Sequence, residues 1–91
     1  MKNEKGFYMI GKELDRAKKK FPRGPIDPIH AAAIIGEESS ELTQAALQFT
    51  YEDGSVQEML EVAVQLGAMA VRFIENIHKY ADGRKNEQVT K

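Results

Sequence analysis

The sequence has 91 residues, of which 42% are apolar and 30% are charged, and its 13 Lys and Arg residues nearly balance its 14 Asp and Glu residues. These values are typical of one small soluble domain, residues 1–91, with no basic field to attract nucleic acid. There is no Cys and no uninterrupted apolar run of about 18 residues, which excludes disulfides, thiolate metal sites and membrane-spanning helices. With no apolar leader at the N-terminus, we expect a cytoplasmic protein.

The first predicted helix covers residues 6–21, because apolar residues recur there at steps of three and four: Phe7, Ile10, Leu14, Ala17 and Phe21. The prolines of "PRGPIDP" end this helix, since a proline has no amide hydrogen and biases the preceding residue away from helical angles. Asp27 followed by Pro28 predicts the N-cap and first position of a second helix, residues 28–50.

The segment "YEDGS" predicts a turn, and Ser55 with Glu58 forms a capping-box pattern that opens a third helix, residues 56–80. The polar tail, residues 81–91, is predicted to be frayed. The sequence contains no strand pattern, so the fold class is all-α with three helices.

The third predicted helix is apolar around most of its circumference, apart from a narrow polar stripe centred on Glu61 that includes Arg72 and Asn76. A helix of this kind is normally buried on several sides. Two other helices cannot cover it, so we expect a homo-oligomer, most simply a symmetric dimer.

Two pairs of glutamates lie three residues apart on the second and third helices: Glu38 with Glu41, and Glu58 with Glu61. If the short turn folds the helices antiparallel, the four carboxylates meet in one cleft, where crowding raises their pKa values. A hard divalent cation relieves that repulsion, and all-oxygen ligation suits Mg²⁺ or Mn²⁺. The chemistry then expected is metal-assisted attack of water on a phosphoanhydride.

Each of these features also has a simpler explanation. An acidic helix face is more often solvated surface, and Glu58 stands where a capping box needs a glutamate. His30 and Arg72 can equally be ordinary, partly exposed side chains. Glu61 is the hardest to explain in this way, because it lies in mid-helix among apolar residues.

The order of the acidic residues along the chain is also informative. "EESSE", residues 37–41, is followed after sixteen residues by "EMLE", residues 58–61. This order resembles the EExxE and ExxD motifs of the MazG-like nucleotide pyrophosphohydrolases, part of the all-α NTP pyrophosphatase superfamily. The resemblance covers about residues 28–76.

The resemblance implies antiparallel motif helices in a four-helix-type bundle, completed as a homodimer or homotetramer. It implies Mg²⁺-dependent hydrolysis of a (d)NTP between the α- and β-phosphates, which gives a monophosphate and pyrophosphate. The implied metal ligands are Glu38, Glu41, Glu58 and Glu61, and the implied catalytic residues are Glu37, Glu38 and Glu41. Candidates for substrate contact are His30, Arg72 and Asn76. Glu61 stands where the family usually has aspartate, and Mg²⁺ is strict about ligand geometry.

Two alternatives stay open at this point. Phosphoribosyl-ATP pyrophosphohydrolase belongs to the same superfamily and has a similar "GEE" helix. A protein of a different class, a helical oligomerisation or interaction module without catalysis, would carry the same acidic stripe as plain surface.

Overall fold

The structure is a computed structural model that describes residues 4–25 and 27–89, with side chains as far as Arg84. It contains four helices: α1 (Glu4–Lys20), α2 (Pro28–Tyr51), α3 (Val56–Glu75) and α4 (Ile77–Val89). No strand occurs in this part of the chain, so the predicted all-α class is confirmed. The first two predicted helices agree with α1 and α2 to within two residues at each end. Within the described ranges, none of the helices combines the length and apolar character needed to cross a membrane.

The starts of α2 and α3 are set by the two predicted caps. The Asp27 carboxylate accepts a hydrogen bond of 2.7 Å from the backbone N–H of His30, and Pro28 begins the helix. The Ser55 hydroxyl accepts a bond of 3.0 Å from the backbone N–H of Glu58. Each side chain therefore satisfies a backbone donor that has no partner within its own helix.

A short connection, residues 52–55, joins α2 to α3 and depends on Gly54. The N–H groups of Glu52 and Gly54 both donate to the carbonyl oxygen of Gln48, at 2.9 and 3.1 Å. A Cβ atom at position 54 would lie 2.8 Å from the Gln48 carbonyl carbon. Only glycine lets the chain turn this closely over the end of α2, which brings α3 directly back into contact with α2.

The predicted third helix, residues 56–80, is wrong in its extent, because the structure divides it at Asn76. This residue has φ −95° and ψ 5°, and its N–H is shared between the carbonyl oxygens of Arg72 and Phe73. Those angles lie in the bridge region, which ends the regular helix. The rings of Phe73 and Tyr80 pack across the break, with centroids 5.3 Å apart. The described residues therefore form four helices rather than three, and residues 81–89, predicted to be frayed, are helical. Residues 90 and 91 of the predicted tail lie outside the described residues.

The helix α3 is central, because both α1 and α2 pack against it. The buried apolar residues number five among those described, and four of them are alanines: Leu14, Ala17, Ala31, Ala45 and Ala68. The radius of gyration is 15.9 Å, whereas a compact domain of this length has about 12 Å. The single chain is therefore elongated and has a thin core, with large apolar side chains such as Ile29, Ile74 and Phe7 more than half exposed.

Candidate functional cleft

A cleft of about 460 Å³, called here the central cleft, opens between α1, α2 and α3. Its lining residues are Glu13, Arg16 and Ala17 of α1; Phe21, Gly24 and Pro25 of the connector; His30, Ile34 and Glu38 of α2; and Gln65, Met69 and Arg72 of α3. Three of the predicted site residues, His30, Glu38 and Arg72, are thus brought together. The cleft carries carboxylates on one part of its wall and a guanidinium on another.

Glu38 is the half-buried acid of this cleft. On α2 it lies on the same side as the buried Ala31 and Ala45, because seven residues make about two helical turns. Its Oε2 atom is buried and has no hydrogen-bond partner among the described residues. Burial raises the pKa of Glu38, and the neighbouring charges of Glu41, Glu37 and Glu13 raise it further. The ionised side chain therefore lacks the hydrogen bond or cation that would normally accompany a buried carboxylate.

Glu13 of α1 adds a carboxylate to the same wall, and Arg16 holds it. The Arg16 Nε–H donates to Glu13 Oε1 at 3.0 Å, and a second guanidinium N–H donates to Oε2. This hydrogen-bonded pairing lowers the pKa of Glu13. The Glu13 side chain is 17% exposed, whereas that of Arg16 is 58% exposed. Glu13 therefore keeps its negative charge and helps to disfavour ionisation of Glu38.

A second cavity of about 590 Å³, called here the side groove, lies between α1 and α3 and contains Glu61. The Gln57 amide donates a bond of 3.1 Å to Glu61 Oε2. Glu13, Arg16 and Gln65 line both cavities. Glu61 thus faces a different cavity from Glu38, with residues of α1 and α3 between them.

The other predicted site residues line neither cavity. Glu37 and Glu41 are exposed on α2. Glu58 is exposed in the first turn of α3, where its backbone completes the Ser55 cap. Asn76 is the C-cap of α3 and forms the break before α4.

Arg72 is buried, with 6% of its surface exposed. Its guanidinium donates to the carbonyl oxygens of Ala17, at 3.4 Å, and of Phe21. These carbonyls belong to the C-terminal end of α1 and to the residue that follows it, and each also accepts a backbone hydrogen bond, from the N–H of Phe21 at 2.8 Å and of Gly24 at 3.1 Å respectively. The hydrogen bonds of Arg72 therefore link α3 to the end of α1, and its side chain also lines the central cleft.

The described residues include no group of three or more His, Asp or Glu side chains that could hold a metal ion. The expected four-carboxylate cleft is not assembled in this arrangement of the single chain. The reason is that Glu38 faces the central cleft and Glu61 the side groove, while Glu41 and Glu58 are exposed. The unpaired oxygen of Glu38 is the kind of ligand that a hard cation prefers, but one carboxylate does not make a coordination set.

Glu13, Arg16 and Gln65 line the cleft but were not predicted from the sequence to be site residues. The opposite charges of Glu13 and Arg16, three positions apart on a helix, predict a local ion pair. They do not predict that this pair faces Glu38, because the pairing of helix faces depends on tertiary packing.

The fold and the cleft define the protein as a small all-helical domain in which a half-buried glutamate and a buried arginine line one cleft. No family model matches this chain, and neither characterised proteins nor solved structures give a match. The resemblance of the acidic motifs to the MazG-like enzymes therefore stays a prediction from the sequence.

Proposed function

We propose that this protein is a Mg²⁺-dependent nucleoside triphosphate pyrophosphohydrolase that cleaves between the α- and β-phosphates. The observation that carries the proposal is the position of Glu38, a glutamate of the "EESSE" motif. Its unpaired carboxylate oxygen is buried in a cleft of about 460 Å³ that also contains Arg72 and His30. A cleft with acidic and cationic walls suits a substrate that binds as a complex of a metal and a polyphosphate.

In this proposal, Glu38 and Glu41 of α2 and Glu58 and Glu61 of α3 are the residues that would hold Mg²⁺, and binding would require them to come together from the separate positions that they have in the single chain. The bound ion would neutralise phosphate charge and lower the pKa of an attacking water. Glu37, next to Glu38 on α2, would orient that water. Mn²⁺ suits the same oxygen ligands.

A nucleotide panel with detection of released pyrophosphate tests this function. We expect Mg²⁺-dependent release from at least one canonical or modified (d)NTP, and a loss of about 100-fold or more in Glu41→Gln, as for other groups that take part directly in catalysis. Phosphoribosyl-ATP belongs in the panel, because hydrolysis of that compound alone would indicate a phosphoribosyl-ATP pyrophosphohydrolase instead. Glu52→Gln, an exposed glutamate that lines neither cavity, is the matched control and should keep full activity. Absence of pyrophosphate from every substrate with either metal contradicts the proposal.

We further infer that a second copy of the chain covers the exposed face of α3. Val56, Leu60, Ala63 and Ile74 are exposed on that helix. At about 100° per residue these four lie within about 60° of one another, and no charged residue of α3 shares the sector. Part of the sector is approached by α1, because a Cβ atom at Gly67 would lie 2.8 Å from Ile10 and Leu60 also lines the side groove. An uncharged apolar stripe of this kind normally packs against another helix. Dimers and tetramers both satisfy this requirement.

The second candidate function is a helical module without catalysis, and the absence of a three-ligand metal group among the described residues favours it. Thermal melting with and without millimolar Mg²⁺ separates the two functions. A metal site that exists only in the folded state stabilises that state by about 2.7 kcal/mol when the ion is present at 100 times its dissociation constant. The enzyme should therefore melt several degrees higher in Mg²⁺ than in KCl of equal ionic strength. Identical melting curves would favour the module.

A further inference from the structure

The guanidinium of Arg72 is a buried cation without a carboxylate partner in the described part of the chain. The ion pairs found there are Arg16 with Glu13 and Lys18 with Glu75. Arg72 instead donates to two neutral carbonyl oxygens, those of Ala17 and Phe21. Since a guanidinium carries five N–H donors, these two bonds leave three donors without a protein partner, and only the partial negative charge at the C-terminal end of α1 offsets the positive charge.

A buried charge is unfavourable unless an opposite charge accompanies it. Arg72 is 6% exposed and lines the central cleft, so an anion in that cleft would supply the missing partner. Glu38 does not supply it, because no ion pair joins Glu38 to Arg72 among the described residues and the buried Oε2 atom of Glu38 has no hydrogen-bond partner there. Glu38 and Arg72 therefore line the same cleft without forming an ion pair with each other.

Gly24 and Pro25 of the connector line the cleft together with Arg72. Gly24 has φ +64°, and a Cβ atom there would lie 2.9 Å from both Cζ and Nε of Arg72. Only glycine permits both the backbone angle and the close approach. His30, at the start of α2, lines the same cleft.

We propose that the Arg72 end of the central cleft is an anion subsite that binds a phosphate-type oxyanion. Arg72 is well suited to this ligand, because its planar donors match two oxygens of one phosphate. As the subsite for a phosphate of the substrate it rests on the proposed function. Binding of the anion itself requires neither a metal nor turnover.

The test uses the full chain, labelled with ¹⁵N, in EDTA. Inorganic phosphate is titrated against chloride at constant ionic strength, and amide and arginine Nε–H resonances are followed by NMR. We expect saturable shifts at the Gly24 amide and the Arg72 Nε–H. Shifts confined to the exposed lysines Lys18–Lys20, or no shifts at all, would overturn the subsite.

Two variants sharpen the measurement. Arg72→Gln removes the charge but keeps an amide donor for one carbonyl, and it should bind phosphate at least about tenfold more weakly, the usual effect of losing a charged hydrogen-bond partner. Lys19→Gln removes one exposed positive charge from α1 and should bind phosphate as the unaltered chain does. If Arg72→Gln does not fold by circular dichroism, the titration of the unaltered chain decides the question.

The outcomes also separate this inference from the proposed activity. Phosphate binding at Gly24 and Arg72 without hydrolysis of any nucleotide would keep the subsite and reject the pyrophosphohydrolase. Hydrolysis without any effect of phosphate at these two residues would reject the subsite and keep the enzyme.

Discussion

Glu38→Gln is expected to raise the melting temperature of the metal-free protein at neutral pH while it removes the proposed activity. The Oε2 atom of Glu38 is buried without a partner, and burial and three neighbouring carboxylates raise the pKa of the group. A neutral amide avoids the cost of keeping a charge there. The amide also lacks a hydrogen-bond partner, so the gain comes only from removal of the charge; against about 1–3 kcal/mol for an unsatisfied buried polar group, and more for a charged one, we expect about 1 kcal/mol at this half-buried position, or roughly 4 to 8 °C for a domain of this size.

The effect should depend on pH in a defined direction. Because the folded-state pKa of Glu38 lies above its unfolded value, the folded state holds the proton more tightly. Stability from this group is therefore greatest below the ordinary carboxyl pKa and is lost as the pH rises through the folded-state pKa. The advantage of Glu38→Gln should accordingly be absent near pH 4, about the ordinary carboxyl value, and grow as the pH rises through the folded-state pKa of Glu38.

Melting curves of the two proteins between pH 4 and pH 8 in EDTA measure this difference. Glu52→Gln is the control, because Glu52 is exposed and lines neither cavity, and its melting temperature should follow the unaltered chain at every pH. A Glu38→Gln protein that melts below the unaltered chain at pH 7 would contradict the interpretation of Glu38 as an unpaired buried charge. Stability and activity changing in opposite directions are typical of a residue retained for function.

Ala63→Arg is the second variant for which we expect a large effect. Ala63 is exposed in mid-α3, in the uncharged sector with Val56, Leu60 and Ile74. If a second copy packs there, an arginine at this position buries a charge without a partner at the interface. Residues at the centre of an interface contribute about 2 kcal/mol or more when disrupted, so the dissociation constant should rise at least about thirtyfold.

Light scattering coupled to size-exclusion chromatography measures this directly. The unaltered chain should elute as a dimer or tetramer, and Ala63→Arg should shift to the monomer mass at micromolar concentration. Its melting temperature should also fall, because the single chain has a thin core and is stabilised by mass action when it associates. Gln44→Arg adds the same charge on the exposed, polar side of α2 and should leave the mass unchanged. A monomeric unaltered chain at all concentrations would reject this interface.

The features that the sequence predicted well are local. The caps at Asp27 and Ser55 and the turn at Gly54 depend on hydrogen bonds between residues three to six apart. The local sequence therefore nearly determines them. The end of the third helix was predicted less well. Apolar residues continue past Glu75, and periodicity alone did not indicate that the backbone at Asn76 leaves helical angles.

The candidate site was predicted in part, since Glu38, His30 and Arg72 do share a cleft. Two other expectations depended on how the helices are rotated against each other. Glu61 is directed to α1 and Gln57 instead of to Glu38, and Arg72 is buried where an exposed phosphate contact was expected. Rotation of a helix by one residue changes its contact face by about 100°, and short-range patterns do not fix that angle.

By itself, the sequence determined that this protein is helical, where α1 and α2 begin and end, and which acidic residues are candidates for a site. Only the tertiary structure decided that Glu13 joins Glu38 on one wall, that Arg72 is a buried cation, and that α3 is interrupted at Asn76. The physical reason is the range of the interactions. Helix formation and capping depend on neighbours within a turn or two, whereas the burial of a charge depends on groups more than fifty residues away, as in the bond from Arg72 to Ala17.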